Sequence, residues 1–182
     1  MIGENPSKNI LILIIKITCK LISERKPIIA VIGTNGIPSK YGGFETLANY
    51  LTLFLKDAYK FIVYCSNIHD KSAPTEHNQA SLVRLPISAN GWQSIIYDSI
   101  SIIHAFFKCD ILLVLGPTSA GFLLLLNKFF KKKIVVNYGG AEWKRKMHSK
   151  FIQNFATMNC RIAIKNSNCN IADNFAIRDD LI

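Results

Sequence analysis

Short apolar stretches alternate with amphipathic stretches along most of the chain. The apolar stretches are rich in β-branched residues, a pattern that predicts buried strands of a parallel sheet. These strands are expected over 28–32, 61–65, 82–85, 111–115, 134–137 and 170–172. The amphipathic stretches carry apolar residues at helical spacing and predict helices over 44–56, 92–107, 119–130, 148–165 and 174–181. The alternation predicts an α/β fold with a mostly parallel sheet and helices on both faces.

Two segments interrupt this alternation. Residues 66–81 are polar and contain Pro74, so they are expected to form a surface loop. Residues 1–26 form an amino-terminal extension whose apolar run is broken by Lys16 and Lys20 and is too short to span a bilayer. Two interpretations are favoured for this extension: an amphipathic helix at a membrane interface, or an extra helix packed on the domain or residues upstream of the true start. A signal peptide fits less well because no small-residue cleavage site follows, but the short apolar core and the nearby lysines keep it open.

Glycines follow several of the predicted strands. With right-handed crossovers the carboxyl ends of parallel strands face one edge of the sheet, so the glycine loops should converge there. Gly42 and Gly43 come just before a predicted helix, where free N–H groups favour a phosphate or a carboxylate. The alternative is that these glycines only permit tight turns, because the loop matches neither the G-x-G-x-x-G nor the Walker pattern.

Charge and cysteine content narrow the choice of partners. Lysine and arginine number 22 against 12 aspartate and glutamate, a formal charge of +10 that suggests a membrane surface, a phosphorylated ligand or nucleic acid. The sequence contains neither an RNP pattern nor paired cysteines and histidines at zinc-finger spacing, so no nucleic-acid partner is expected. The five cysteines form no C-x-x-C pair and the histidines show no metal spacing, so neither a disulfide framework, nor a metal, nor a cofactor is expected. A reducing cytoplasm fits best.

Four strings of residues together resemble a known family. They are GTNGIPSKYGGFET, VLGP, NYGGAEWKRK and IADNFAIRDDL, in order from about Pro27 to the end of the chain. They resemble the amino-terminal domain of bacterial rhamnosyltransferase-like glycosyltransferases, which are retaining enzymes of the GT-B, family 4 type. The resemblance implies that residues 27–182 form the Rossmann-like, acceptor-side half of a GT-B fold, and that the carboxy-terminal donor domain is absent from this chain.

The resemblance also implies partners and a location. The expected partners are a nucleotide-sugar donor, a lipid-linked glycan acceptor, the cytoplasmic membrane surface and the missing carboxy-terminal domain. The protein would then be cytoplasmic and peripheral at the inner face of the membrane, acting in the synthesis of surface polysaccharide such as capsule.

Several residues match motifs of that family. Gly42, Gly43 and Glu45 match its Gly-Gly-x-Glu element, whose implied role is to approach the donor diphosphate and sugar. Glu142 is the candidate catalytic carboxylate. The remaining candidates for substrate binding are Gly36, Tyr41, Gly116, Gly140, Trp143, Lys144 and Arg145. Tryptophan offers a flat face to a sugar and the cations offer charge-assisted hydrogen bonds, whereas the alternative is a helix start with surface charges and a packed tryptophan.

Two positions depart from the family pattern. Asn35 stands where relatives usually carry arginine, which removes a cation from the first loop. Gly139 stands where relatives usually carry aspartate, and such a proton acceptor typically contributes about 100-fold or more. Gly139→Asp is therefore expected to raise transfer if the lost carboxylate matters. Near the end of the chain, Asp173 and Arg178 are expected to cap and solvate the last helix.

Two functions from different classes follow. The first is a glycosyltransferase domain that takes part in moving a sugar, with rhamnose as the candidate, from a nucleotide donor to a membrane-linked glycan. The alternative is a truncated, non-catalytic module that binds an anionic glycolipid or a membrane surface. A dinucleotide-dependent oxidoreductase is disfavoured, because the glycine fingerprint is missing and the second strand ends in Cys65-Ser66 without an acidic residue.

Overall fold

A computed structural model describes residues 25–38, 42–66, 74–140 and 149–181 of the chain. These residues build one seven-stranded sheet in the order β3-β4-β2-β1-β5-β6-β7. The strands are β1 Ile28–Ile32, β2 Lys60–Ser66, β3 Glu76–His77, β4 Ala80–Leu85, β5 Ile111–Leu115, β6 Lys133–Tyr138 and β7 Cys169–Ala172. All neighbouring pairs are parallel except β3 with β4.

The strand order places a topological switch point at the centre of the sheet. Without the short β3, the order is that of a Rossmann fold, in which the chain runs outwards from β1 on one side and then outwards from β5 on the other. In such sheets the crevice outside the carboxyl ends of the two central strands is the usual place for a ligand. In this chain the two central strands are β1 and β5, which pair in parallel register.

Helices cover both faces of the sheet. They are α1 Gly43–Phe54, α2 Gln93–Lys108, a 3-10 helix Gly121–Leu126 that leads into α3 Asn127–Phe130, α4 Lys150–Asn166, and α5 Phe175–Leu181. One core cluster joins the sheet to α2, α4 and the 3-10 helix through buried Tyr97, Phe106, Leu124 and Cys160. A second cluster lies on the opposite face beneath α1. The predicted fold, a Rossmann-like and mostly parallel sheet with helices on both faces, is confirmed.

Most predicted elements agree with the structure to within two residues at each end, as expected for helix and strand boundaries. The predicted surface loop over 66–81 is wrong in part, because it contains a hairpin of β3 and the start of β4. Asn78 and Gln79 both have positive φ, 50° and 64°, and close this hairpin as a two-residue turn. Ala80 is fully buried at the hairpin's second strand. The turn was missed because it contains no glycine.

The single helix predicted over 119–130 is also wrong in part. The segment begins as the 3-10 helix and becomes α-helical only at Asn127. The 3-10 helix packs directly on α4, because a Cβ at Gly121 would lie 2.5 Å from the Asn159 carbonyl oxygen. The Asn159 side chain also accepts a hydrogen bond from the Phe122 amide at 2.7 Å. The contact with Asn159 of α4 therefore holds the start of the segment as a 3-10 helix. The spacing of the leucines gives no sign of this contact.

The amino-terminal extension lies almost entirely outside the described residues, which begin at Arg25. Within the described ranges, no helix has both the length and the apolar character needed to cross a bilayer.

Candidate functional site

The carboxyl ends of the parallel strands meet along one edge of the sheet. The Gly116 amide, just after β5, donates to the Asn137 carbonyl of β6 at 2.9 Å. The Ser66 amide at the end of β2 donates to the Asn35 carbonyl after β1 at 3.0 Å. The predicted convergence of the loops is confirmed.

The first glycine loop ends at the start of α1. Gly42 has φ 110° at the N-cap position of α1, a conformation that only glycine adopts readily, and its carbonyl accepts the Thr46 amide at 3.1 Å. Gly36, earlier in the loop, packs against Cys65, since a Cβ there would lie 2.7 Å from the Cys65 sulfur. The loop is therefore held close to β2, and Gly42 leads directly into the amide-rich first turn of α1.

Glu45 turns back from α1 onto the loop. Its carboxylate is buried and accepts hydrogen bonds from the Asn35 amide at 2.7 Å and from the Asn35 side chain at 3.1 Å. Asn35 in turn accepts a hydrogen bond from the Asn90 side chain at 3.0 Å. Glu45 and Asn35 thus hold the loop in shape. A direct contact of Glu45 with a donor sugar stays a prediction.

The first turns of α2 form hydrogen bonds with the loops at the same edge. The Tyr97 hydroxyl donates to the Thr34 carbonyl at 2.9 Å, and the Ser119 hydroxyl donates to the Asp98 carboxylate. Asp98 is buried, and burial raises its pKa to about 7 although the Ser119 hydrogen bond acts in the opposite direction. Its Oδ1 atom has no partner within the described part of the chain. These contacts tie the loops after β1 and β5 to α2.

A cleft of about 370 Å³ opens between the start of α1 and the ends of β6 and β7. It is lined by Gly43, Phe44, Leu47, Asn137, Gly139 and Asp173, and we refer to this set as the α1 cleft. Asn137 is only 6% exposed, and its side-chain oxygen has no hydrogen-bond partner among the residues that the structure describes. Asp173 is exposed at the mouth.

The Phe44 ring determines how much space this cleft has. It lies between two glycines that follow β5 and β6. A Cβ at Gly116 would lie 3.3 Å from the ring, and a Cβ at Gly139 would lie 2.5 Å from Phe44 Cζ and closer still to Cε1. Restoring an aspartate at 139 therefore requires Phe44 to move. The same Cβ would lie 3.3 Å from the Asp173 carboxylate, so a carboxylate already stands beside this position.

The prediction that Asp173 caps the last helix is wrong. Asn174 takes that role, because its side chain accepts the Ile177 amide at 2.9 Å. Arg178 is exposed and pairs with Asp179, in agreement with its predicted solvated position. The Asp173 side chain is left to face the α1 cleft.

The predicted site residues fall into two groups. The structure brings Gly36, Gly42, Gly43, Glu45 and Gly116 to the same edge of the sheet, and Gly140 follows β6 there. Tyr41, Glu142, Trp143, Lys144 and Arg145 lie outside the described residues. Within the described ranges, no cluster of histidine, cysteine or acidic side chains could hold a metal ion.

Sequence reasoning missed four residues of the α1 cleft: Phe44, Leu47, Asn137 and Asp173. Phe44 belongs to the apolar residues at helical spacing in the predicted first helix, so it was assigned to the core. Asn137 gave one usable signal, since it is a polar residue at the end of an otherwise apolar strand. Asp173 occupies the equivalent place after β7, where the carboxyl-end rule could have identified it.

The fold is that of a Rossmann-like domain, and the α1 cleft opens at the carboxyl-end edge of its sheet. The chain belongs to a family described as "Domain of unknown function (DUF1972)", which matches residues 26–182. No curated protein sequence matches the chain. Among solved structures, the sucrose-phosphate synthase from Thermosynechococcus elongatus has a similar fold, with a TM-score of 0.57 and 15% sequence identity. The match covers 80% of this chain and 42% of that structure, so the chain spans less than half the length of its structural relative.

Proposed function

We propose that this chain is the acceptor-side, amino-terminal domain of a retaining GT-B glycosyltransferase. Its enzyme would move a sugar, with rhamnose as the candidate, from a nucleotide-sugar donor to a lipid-linked glycan in the synthesis of surface polysaccharide. The observation that carries the proposal is the α1 cleft, which opens beside the glycine turn at the sheet edge. The similarity in fold to a sucrose-phosphate synthase supports a sugar transferase.

The chemistry needs groups that stabilise a leaving diphosphate. The acceptor hydroxyl attacks the anomeric carbon while the bond to the diphosphate breaks, and negative charge grows on the phosphate oxygens. The first N–H groups of α1 have no carbonyl partner within the helix, and Gly42 and Gly43 leave them open to an anion. Glu45 and Asn35 hold this turn in place. The nucleotide itself would be held mainly by the second domain.

The test is transfer by the two-domain protein in which this chain is joined to its donor domain. It is incubated with a lipid-linked glycan acceptor and, separately, with dTDP-rhamnose, UDP-glucose, UDP-galactose and GDP-mannose. Acceptor-dependent transfer from one donor is the expected result. A folded two-domain protein that transfers from none of them contradicts the proposal.

The alternative function is a non-catalytic module that binds an anionic glycolipid. Gly139 favours it, because the carboxylate that relatives carry at this position is missing from this chain. This module would retain lipid-linked glycan without consuming any nucleotide sugar, whereas the transferase releases a nucleoside diphosphate with each turnover.

A basic and aromatic surface supports the membrane part of the proposal. It lies at the amino-terminal edge of the sheet, opposite the α1 cleft, and consists of exposed Phe107 and Phe129 with exposed Lys108, Lys128, Lys131 and Lys133. The nearby Asp110 carboxylate is already bonded to Arg25 at 3.3 Å and to the Ile28 amide at 2.9 Å. Aromatic rings that enter the interface beside lysines that meet lipid phosphates are typical of peripheral membrane proteins.

Vesicle sedimentation tests this surface. The chain should bind vesicles that contain anionic phosphatidylglycerol more tightly than neutral phosphatidylcholine vesicles, and added salt should weaken the binding. Phe129→Ser should reduce binding by about 10- to 150-fold, since one buried aromatic ring contributes about 1.5–3 kcal/mol. Phe175→Ser is the matched control, because Phe175 is similarly exposed (75% against 82% for Phe129) but follows β7 at the carboxyl-end edge of the sheet. Equal binding by both variants, or binding to neutral vesicles alone, contradicts the assignment.

A further inference from the structure

The outer face of α2 is apolar along its whole length. Every exposed residue of α2 apart from the last one, Lys108, carries an aliphatic or aromatic side chain. Four of them recur at intervals of four, three and four residues, so they lie in one line along the helix, and each is at least 41% exposed. We refer to these four residues as the α2 stripe: Ile96, Ile100, Ile103 and Phe107.

The α2 stripe faces away from the sheet. The residues that α2 buries lie on the opposite side of the helix, and they include Tyr97, Ile102 and Phe106 of the core. The exposed side of α4, by contrast, carries polar residues such as Arg161 and Lys165. A helix that is apolar all round is normally covered all round. The stripe is therefore expected to have a partner beyond the described residues.

The described chain starts beside one end of the stripe. The Arg25 guanidinium donates to the Asp110 carboxylate at 3.3 Å, and the same carboxylate oxygen accepts the Ile28 amide at 2.9 Å. Asp110 comes directly after Cys109, the residue that ends α2. The residues that precede Arg25 therefore approach the domain at the Phe107 end of the stripe.

The sequence before Arg25 contains a matching apolar series. Its members have the same intervals of four, three and four residues: Ile10, Ile14, Ile17 and Leu21. Residues at these intervals lie on one face of a helix, whereas Lys16 falls on the far side. Helices whose apolar residues alternate between three- and four-residue intervals pack side by side as in a coiled coil. Each series would span about 17 Å of helix axis.

Direction and reach fit as well. α2 runs from the end of β4 to the start of β5, towards the amino-terminal edge of the sheet, and a helix that leads into Arg25 must run the same way. Two parallel helices would bring the two series together layer by layer. The four residues from Leu21 to Arg25 reach up to about 13 Å, and packed helices lie about 8–10 Å apart. So short a tether gives the segment an effective concentration in the mM range.

We propose that residues 10–21 form a helix that packs parallel to α2 and covers the α2 stripe, with Ile14 beside Ile100 at the centre of the seam. The stripe carries no charge, so it fits an apolar segment of the chain better than it fits an anionic membrane, which lysines would meet. The inference concerns a face of the domain that sugar transfer does not use, and it does not depend on the proposed function.

Engineered disulfides test this register in the 182-residue chain. Cys19 and Cys169 are first changed to serine, whereas Cys65, Cys109 and Cys160 are buried and stay in place. Ile14→Cys with Ile100→Cys should then form an intramolecular disulfide under mild oxidation, because a disulfide needs Cα atoms only about 4.4–6.8 Å apart. Peptide mapping of the monomer by mass spectrometry measures its rate of formation.

Two control pairs establish the face and the direction. Lys16→Cys with Ile100→Cys places one thiol on the far side of the segment, and Ile10→Cys with Ile103→Cys could be joined only by antiparallel helices. Both pairs should cross-link at least tenfold more slowly than the first pair. Equal rates for all three pairs, or no cross-link in the first pair, would overturn the inference. Cross-links between two chains alone would also overturn it and would assign the stripe to a second copy.

Thiol labelling separates the segment from a membrane. Ile100→Cys, in the same serine background, is reacted with a water-soluble maleimide in buffer without lipid. Labelling should be at least tenfold slower than in the same protein with Ile14→Glu and Ile17→Glu added. Phe129→Cys, outside the stripe, should react at one rate with and without these two changes. Labelling at 100 that the two changes do not quicken would overturn the inference, and slowing by phosphatidylglycerol vesicles alone would assign the stripe to a membrane surface.

Discussion

Gly139→Ala should destabilise the chain through one contact, that between the new methyl group and the Phe44 ring. The Cβ would lie 2.5 Å from Phe44 Cζ, well inside the ordinary contact distance of 3.4–4 Å. The ring must therefore move by about an ångström, and it must leave part of its packing on the core cluster beneath α1. The backbone at Gly139 needs no positive φ, so the steric effect is not mixed with backbone strain.

The expected cost is about 1–3 kcal/mol, the range for forcing an extra methyl group against packed side chains, and it should fall towards the lower end because Gly139 is exposed and Phe44 is half-buried. Gly139→Asp should cost more, because its carboxylate would stand beside Asp173. Two charges about 5 Å apart repel by about 1–3 kcal/mol at effective dielectric constants between those of water and a protein surface. Gly139→Asp therefore raises transfer only if Phe44 leaves its present position.

A double-mutant cycle in urea isolates the contact. The four proteins are wild type, Gly139→Ala, Phe44→Ala and the double variant, and the free energy of unfolding is measured for each. Gly139→Ala should cost about 1–3 kcal/mol in the wild-type background and under about 0.5 kcal/mol once the ring is gone. Gly91→Ala is unsuitable as a control because Gly91 has φ 67°, whereas Gly43→Ala is suitable, since no atom lies within 4 Å of a Cβ there.

Two results would refute the reasoning. Equal costs of Gly139→Ala in both backgrounds would mean that Phe44 does not fill this space. A cost near zero in the wild-type background would mean that the α1 cleft is wider than the contact implies.

Two further predictions concern buried carboxylates. The folded-state pKa of Asp98 is about 7, against the ordinary value of 3.8. Between these pH values folded Asp98 holds a proton that the unfolded chain has lost. The free energy of unfolding should therefore fall by about 4 kcal/mol as pH rises from 4 to 7 and then level off. Asp98→Asn should remove this pH dependence and Asp57→Asn should not, as measured by urea unfolding at each pH. Glu45→Ala removes both hydrogen bonds to Asn35, so amide exchange at Asn35 should quicken at least tenfold, whereas Glu45→Gln should retain most of the protection.

The sheet was predictable because its central strands are uninterrupted apolar runs. Ile28–Ile32 and Ile111–Leu115 agree with the prediction residue for residue, and both are buried except at their first one or two residues. The hairpin at Asn78 and Gln79 was harder to predict, because Asn78 suits a positive φ but Gln79 does not, and no glycine marks the turn.

The candidate site was predictable only in part. The glycines after β1 and β5 and their convergence followed from strand order alone. The roles of Asn137 and Asp173 did not, because an unpaired oxygen and a cleft-facing carboxylate depend on packing between elements distant in sequence. Asp173 and Asn174 are both good helix caps, and the sequence offers no way to choose between them.

The central claim, that the switch-point edge of this sheet is the working site of a sugar transferase, is tested most directly by one comparison of turnover. Acceptor-dependent transfer is measured for the two-domain protein as wild type, as Gly42→Val and as Phe107→Ser, with a soluble glycan acceptor. Gly42→Val changes the turn that leads into α1, where φ is 110°, and should lower kcat/KM at least 100-fold while circular dichroism stays unchanged. Phe107→Ser, at the opposite edge, should keep wild-type turnover. Transfer that survives Gly42→Val intact, or a folded wild-type protein with no transfer, would contradict the claim.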